Sequence, residues 1–249
     1  SDHLTRKAIH ELMDWQRADS TLFSPVPAGN WDKELPTQML ASIGYYGIWE
    51  YFWNTGDTAT LRKAYPGVKK YLALWQTDAH GLVVPREGGW TWGDWGPNKD
   101  MPILFNGWYY LALKGTMHSA RVLGDTAYAK KLEAKMTRLK RAFNDRFWTP
   151  GGYQSPGHEG PPDDRSQGLA VVAGLAPDSC YATMRSVLKE QYNASPYMEK
   201  YILEALFEMG YPGLALERMK KRFREMVESP ITTLWEGWEL NSGIWGGGT

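Results

Sequence analysis

The sequence predicts an all-α fold in which helices pair into hairpins that form a toroid, an αα-barrel. No β-rich pattern recurs along the 249 residues, and helical segments follow one another with short Gly- and Pro-containing links. Helices with one apolar stripe alternate with helices that are apolar on nearly every side. No fixed-period repeat of about 34–45 residues is found, which favours a barrel over an α-solenoid.

The predicted helices are separated by glycines, prolines and short polar links. They span residues 2–17, 35–54, 58–76, 102–122, 125–147, 165–175, 178–191, 197–209 and 212–228. Pro36, Pro102 and Pro212 support three of the starts, because the first turn of a helix has no intrahelical partner for the N–H that proline lacks.

Two kinds of helix are predicted, outer and inner. In residues 58–76 apolar side chains follow one another at steps of four and three, with charges between them. They are Leu61, Tyr65, Val68, Leu72 and Trp75. Residues 125–147 and 212–228 repeat the pattern, so all three helices are expected on the outside. Residues 40–53 and 103–113 are apolar nearly all round and are expected inside, surrounded by protein.

Two segments are predicted to be non-helical. Residues 81–96 are typical of a short apolar strand, a glycine turn and an aromatic loop, and residues 148–166 form a longer Gly- and Pro-rich loop. Both precede inner-type helices, so they should gather at one end of the barrel with the loop at 230–249. Loops on a rigid scaffold are where sites are commonly built.

Composition excludes several function classes. Lys plus Arg and Asp plus Glu both total 28, so no basic surface for nucleic acid or an anionic membrane is indicated. No apolar run approaches the ~18 residues of a membrane span, and no signal peptide opens the chain. The single cysteine, Cys180, is predicted to be a buried small hydrophobe. The five histidines are scattered, so no metal site and no cofactor are predicted.

An aromatic loop is the first candidate site. Trp90, Trp92, Asp94 and Trp95 place three indoles and a carboxylate within six residues. Indole faces stack on the C–H face of a pyranose, while carboxylates accept hydrogen bonds from its hydroxyls. The structural alternative is that the indoles plug one end of the barrel and that Asp94 caps a helix or a turn.

The second candidate site is a cluster of acids and indoles near the end of the chain. It holds Trp235, Glu236, Trp238 and Glu239. The two glutamates could be solvated surface acids. However, the flanking tryptophans and an intervening glycine are not typical of a solvent-exposed helix. Paired carboxylates are what glycosidic hydrolysis requires, so Glu236 is the main catalytic candidate.

Three other acids have structural explanations. Asp163 and Asp164 are better explained as a helix N-cap than as a metal–diphosphate pair. Glu50, inside an apolar helix, is expected to be paired internally and is a minor functional candidate. Neither a Gly-rich phosphate loop, a GxSxG turn nor the DDxxD motif of isoprenoid-processing αα-barrels occurs in the sequence.

The motifs occur in an order that resembles one known family. Residues 35–38 (LPTQ) open a helix that ends in 51–57 (YFWNTGD), and 92–95 (WGDW), 195–197 (SPY) and 232–238 (TTLWEGW) follow. In that order they resemble the catalytic domain of bacterial α-L-rhamnosidases, glycoside hydrolases with an (α/α)6 barrel. The resemblance covers nearly the whole chain, and TTLWEGW is its most specific motif.

The resemblance implies an inverting hydrolase that removes terminal α-L-rhamnosyl or related 6-deoxyhexosyl residues from glycans or glycosides. Glu236 would be the general base that activates water. The sugar-binding residues would be Asp94, Trp90, Trp92, Trp95, Trp235 and Trp238. The expected partner is therefore a carbohydrate, with no nucleic acid and no membrane.

The resemblance also implies a partial domain. A complete barrel of this family has twelve helices, of which about nine are predicted here, and its general acid would lie upstream of Ser1. The start without Met likewise suggests a piece of a longer protein, whose other segments would complete the ring. Residues 1–249 are thus expected to form one partial catalytic domain, weakly active or inactive alone.

The localisation stays open, and a periplasmic or secreted location in a bacterium is compatible with the sequence. A non-enzymatic alternative is a carbohydrate-binding or scaffold barrel without the general acid.

Overall fold

The computed structural model describes residues 2–23, 34–88 and 91–240. The chain divides into two compact units. The first holds residues 1–92 and 108–142, and the second holds residues 93–107 and 143–249. The organisation of residues 1–249 as one domain stays a prediction.

The first unit is helical throughout its described elements. It contains α1 (Asp2–Asp14), α2 (Pro36–Ile43), a π-helix (Tyr45–Trp49), α3 (Glu50–Thr55), α4 (Thr58–Ala73), residues 108–122 of α5 (Met101–Val122) and residues 126–142 of α6 (Thr126–Phe147). Helix α1 packs against α4 and α3. Only Ile9 of α1 is buried, whereas Leu4 is 70% exposed.

The second unit contains the remaining helices and a short hairpin. Besides residues 101–107 of α5 and 143–147 of α6 it holds β1 (Trp148–Thr149), β2 (Gly152–Tyr153), α7 (Asp164–Ala173), a 3-10 turn (Asp178–Cys180), α8 (Tyr181–Glu190), α9 (Pro196–Glu208) and α10 (Pro212–Glu228). Every residue of α7 is buried, and α7 packs against α9, which packs against α10. Cys180 is buried, as predicted.

Most predicted helices are confirmed, but the segment 35–54 is not one continuous helix. Gly44 ends α2 in an extended conformation (φ −81°, ψ −159°), and Gly47 has non-helical angles (φ −104°, ψ −105°) inside the π-helix. A Cβ at position 47 would lie 1.8 Å from the carbonyl oxygen of Ser42, so the break requires glycine there. The two glycines therefore divide the segment into three pieces.

The burial pattern supports part of the inner and outer prediction. Residues 103–113 are all buried, and α4 buries one face, which includes Leu61, Val68 and Leu72. The prediction for residues 40–53 is wrong at its end, because Trp53 is 74% exposed. Since Trp53 lies on the last turns of α3, the described chain does not surround that helix on all sides.

The two non-helical segments also differ in detail from the prediction. The expected strand near residue 83 is only an isolated antiparallel bridge between Thr77 and Val83. Conversely, the loop at 148–166 begins with the β1–β2 hairpin, in which Trp148 pairs with Tyr153. Among the described residues, no helix combines the length and the apolar character that crossing a membrane requires.

Candidate active site

Asp94 lies buried at the start of the second unit, with 2% of its surface exposed. Its backbone has a φ of 119°, which a non-glycine residue adopts only under strain that the surrounding structure must support. Ser195 provides that support: its N–H donates to Asp94 Oδ2 at 2.8 Å and its hydroxyl donates to Oδ1. Burial raises the pKa of the Asp94 carboxyl, and the hydrogen bonds from Ser195 oppose that rise.

Arg165, at the start of α7, ties the loop after Asp94 to the helix core. Its side chain is fully buried. Nε donates to Asp163 Oδ1 at 2.8 Å, and Nη1 donates to the carbonyl of Trp95 at 3.0 Å and lies 3.5 Å from Asp94 Oδ2. Asp163 is the N-cap of α7, as the sequence predicted, and it also accepts the N–H of Asp100 at 3.2 Å. The loop at 94–100 is thus fixed by charge-assisted hydrogen bonds.

A second buried charge cluster lies between α7, α9 and α10. Arg218 donates from Nε to Glu199 Oε1 at 2.6 Å and from Nη2 to Asp164 Oδ2 at 2.7 Å. The side chains of all three residues are fully buried. Buried charges need such pairing, since an unpaired one costs several kcal/mol.

This cluster holds the connector, residues 191–195 between α8 and α9. The backbone N–H and C=O groups of the connector form hydrogen bonds with charged side chains. Arg218 donates to Gln191 O at 2.7 Å, Arg222 donates to Tyr192 O at 2.9 Å and to Ala194 O, and Asp164 Oδ2 accepts the N–H of Asn193 at 3.1 Å. The connector is therefore bonded to both α7 and α10 through its backbone.

The segment that carries Glu236 is attached to the same connector. The indole N–H of Trp238 donates to the carbonyl of Ala194 at 2.7 Å. The guanidinium of Arg222 lies 3.9 Å from the centre of the Trp238 ring, and Phe223 packs edge-on against that ring at 5.1 Å. Glu236 is exposed, and it follows the buried Trp235 directly.

The other predicted site residues differ in how far they are buried. Trp92 is buried with 7% exposure, Trp95 is half-buried and Glu239 is exposed. Trp90 lies outside the described residues. In the first unit, a cleft of about 650 Å³ is bordered by α1 and by Tyr46 and Glu50. Of the predicted sugar-binding residues that the structure describes, none lines this cleft.

Sequence reasoning missed four residues that organise these segments. They are Arg165, Ser195, Arg218 and Arg222. The available signal was an arginine at an apolar-face position: in α10, Arg218 is 1% exposed and follows the buried Ala215 at helical spacing. Apart from local bonds such as that of Arg165 to Asp163, these residues bond partners 19 to 101 positions away, so no local motif shows those pairings.

Comparison with known proteins agrees with this architecture. The GH78 family rhamnosidase of Bacillus sp. GL1 superposes with a TM-score of 0.79 at 21% identity, over 95% of this chain and 26% of the Bacillus chain. The rhamnosidase from Klebsiella oxytoca with rhamnose bound gives 0.79 at 21% identity, over 96% and 48%. The Streptomyces avermitilis α-L-rhamnosidase complexed with L-rhamnose gives 0.72 at 18% identity, over 98% and 24%.

These likenesses confirm the predicted fold class, an incomplete αα-hairpin barrel of the six-hairpin kind. The chain spans 24% to 48% of the length of these solved proteins. No curated protein matches it. The sequence model of the bacterial alpha-L-rhamnosidase 6 hairpin glycosidase domain, however, matches residues 1–244. The chain therefore belongs to the family of bacterial α-L-rhamnosidase six-hairpin glycosidase domains.

Proposed function

We propose that the protein to which this chain belongs is an inverting glycoside hydrolase that removes terminal α-L-rhamnosyl, or related 6-deoxyhexosyl, residues from glycans or glycosides. Family membership over residues 1–244 supports the reaction class. The rhamnose bound in the Klebsiella oxytoca and Streptomyces avermitilis proteins supports the sugar. Neutral net charge fits a neutral carbohydrate better than a charged polymer.

Glu236 is proposed as the general base. The observation that carries this assignment is the anchoring of its loop: Trp238, two residues on, bonds to Ala194 and stacks under Arg222. An exposed carboxylate on an anchored loop can accept a proton from water at a fixed position, which is the requirement of general base catalysis.

In an inverting reaction the base and the acid act on opposite faces of the sugar. The two carboxyl groups then lie about 6.5–9.5 Å apart, which leaves room for the attacking water. We propose that the acid comes from a part of the protein outside residues 1–249, because the solved relatives are two to four times longer than this chain. Glu236 would take the proton of the water, while that acid protonates the leaving oxygen.

Sugar binding is assigned to Asp94 and to the indoles of both candidate segments. These are Trp90, Trp92, Trp95, Trp235 and Trp238. Both carboxylate oxygens of Asp94 already accept hydrogen bonds within the chain. A third donor, Arg165 Nη1, lies 3.5 Å from Oδ2, and the Asp94 side chain has no exposed surface in the described chain. We therefore expect Asp94 to support the sugar site mainly by fixing the loop that carries the neighbouring indoles.

Other segments of the parent protein are proposed as the partner of the first unit. The cleft beside α1 is lined by apolar side chains, among them Ala8, Leu12 and Met39. In α1 itself, Leu4, Ala8 and Leu12 lie at helical spacing and Leu4 is 70% exposed, so this apolar stripe is not fully covered in the described chain. An uncovered apolar face of this kind marks an interaction surface, and a helix with its own apolar stripe fits it.

The competing function is a carbohydrate-binding or scaffold barrel that lacks the general acid. The burial of Trp92, Trp235 and Asp94 is compatible with it, because these side chains have internal packing roles whether or not catalysis occurs. Under this alternative the parent protein binds L-rhamnose without hydrolysing rhamnosides.

One experiment separates the two functions. The full-length parent protein and this chain are assayed on an aryl α-L-rhamnoside, and the anomer first released is identified by proton NMR. We expect hydrolysis with β-L-rhamnose as the first product from the parent and weak or no hydrolysis from the chain alone. Binding of L-rhamnose by the parent with no hydrolysis would support the non-catalytic alternative.

A further inference from the structure

The connector between α8 and α9 is bonded along its whole length. Each of its five residues has a backbone group that pairs with a side chain from elsewhere in the second unit. Surface loops ordinarily leave such groups to water and are mobile for that reason. The connector is instead held by hydrogen bonds from charged side chains. A displacement of one segment attached to it can therefore displace the other.

Two of the attached segments are the candidate sites. Trp238, from the segment of Glu236, bonds to the carbonyl of Ala194. Asp94, from the aromatic loop, accepts the N–H and the hydroxyl of Ser195. Ala194 and Ser195 are neighbours in the sequence, so one peptide bond separates the two attachments.

We propose that Ser195 is a positioning residue that fixes Asp94 relative to the loop of Glu236. This inference rests on the proposed function. A sugar held by the Asp94 segment must meet a water activated by Glu236, and a misplacement of about 1 Å can cost ~100-fold in rate. The Ser195 hydroxyl ties the first segment to the connector, and the Trp238 indole ties the second.

Ser195 also has a structural role that the test must separate. Its hydroxyl accepts the N–H of Met198 at 3.4 Å and caps α9. Loss of an N-cap lowers stability, but it does not by itself change turnover in protein that is fully folded. Assays are therefore run well below the unfolding temperature of every variant.

The first measurement is turnover of an aryl α-L-rhamnoside by the full-length protein. Ser195→Ala should lower kcat about 10-fold with a smaller change in KM, because geometry rather than affinity is lost. Ser195→Thr, which keeps the hydroxyl, should restore kcat to within about twofold. The matched control is Ser186→Ala, which removes an exposed hydroxyl from α8 and should leave kcat unchanged. An unchanged kcat in Ser195→Ala overturns the proposal.

The second measurement does not depend on activity. In protein labelled with ¹⁵N-tryptophan, hydrogen exchange of the Trp238 indole N–H reports the bond to Ala194, and Trp238→Phe assigns the signal. Ser195→Ala should speed that exchange about 10-fold, while Ser186→Ala should not. Equal exchange rates in Ser195→Ala and wild type overturn the link through the connector. Faster exchange in a parent that hydrolyses no rhamnoside supports the link and overturns only the proposed function.

Discussion

Ser195 and Asp94 lie 101 positions apart in the sequence and are joined by two hydrogen bonds, one from the backbone N–H and one from the hydroxyl. The contact connects the WGDW loop to the start of α9. It also supports the left-handed backbone of Asp94, which a non-glycine residue adopts only where its surroundings hold it. Ser195 is therefore one of the residues that hold the strained conformation, together with Arg165 beside the carboxylate and Lys99 at the carbonyl.

Removal of the Asp94 carboxylate should destabilise the protein. In Asp94→Ala the hydroxyl of Ser195 loses its buried acceptor and Arg165 loses one of its two carboxylate contacts. We expect a loss of at least about 2 kcal/mol in the free energy of unfolding. Asp94→Asn keeps an oxygen acceptor and should lose less. Urea unfolding measures both variants, and equal stability of Asp94→Ala and wild type would contradict the arrangement.

Arg218 should be among the most sensitive positions of the second unit. Arg218→Met removes the cation that bonds both buried carboxylates, Asp164 and Glu199, and leaves Glu199 only the longer contact with Arg222 at 3.6 Å. Breaking a buried ion pair in this way costs about 3–5 kcal/mol. The comparison variant is Arg121→Ala, which breaks an exposed pair with Glu133 and should cost less than about 1 kcal/mol. A cost for Arg218→Met as small as that of Arg121→Ala would show that the buried cluster is not needed.

Two glycines in helices should respond to alanine with opposite signs. A Cβ at Gly168 in α7 would lie 2.9 Å from Ile202 Cγ1 and 3.1 Å from Ile202 Cα, so Gly168→Ala should cost about 1–3 kcal/mol. At Gly213 in α10 a Cβ meets nothing within 4 Å, so Gly213→Ala should stabilise the protein by about 0.5–1 kcal/mol. Thermal unfolding of both variants gives the signs, and stabilisation by Gly168→Ala would argue against the close packing of α7 on α9.

Stability should fall at acid pH through Asp57, the N-cap of α4. Hydrogen bonds from the N–H and hydroxyl of Thr60, with a further one from Tyr51, lower the pKa of Asp57 from 3.8 to about 2. Because the folded-state pKa is the lower one, the stabilising contribution is present above 3.8 and is lost as the pH falls towards 2.

Asp57→Asn retains a capping oxygen and cannot titrate. Wild type should therefore lose stability relative to Asp57→Asn between about pH 4 and pH 2. Urea unfolding at several pH values measures the difference between the two proteins. A difference that stays constant over this interval would rule out the contribution of Asp57.

Local sequence signals predicted the helices well because each signal acts within one or two turns. Pro36 and Pro212 stand in the first turn of their helices, and Asp163 caps α7, as expected. The break in the segment 35–54 follows from Gly44 and Gly47, whose effect depends on packing that the apolar pattern does not reveal.

The residue types of the candidate site were predictable from the sequence, but the hydrogen bonds that connect its segments were not. The indoles and acids of 90–95 and 235–239 stand out in the sequence by clustering alone. Arg165, Ser195 and Arg222 do not, because each bonds a distant residue that tertiary packing brings close: Trp95, Asp94 and Ala194, respectively. A buried arginine and a helix-capping serine have ordinary local contexts, so their importance becomes visible only in three dimensions.

The most direct test of the proposed reaction is the turnover of the Glu236→Gln variant of the full-length protein on an aryl α-L-rhamnoside, with Glu239→Gln as the matched control. Both side chains are exposed on the same segment, three positions apart, and both changes remove one negative charge. If Glu236 is the general base, Glu236→Gln should lower kcat by about 10²–10⁴-fold while Glu239→Gln stays close to wild type. Near-normal turnover by Glu236→Gln would contradict the assignment.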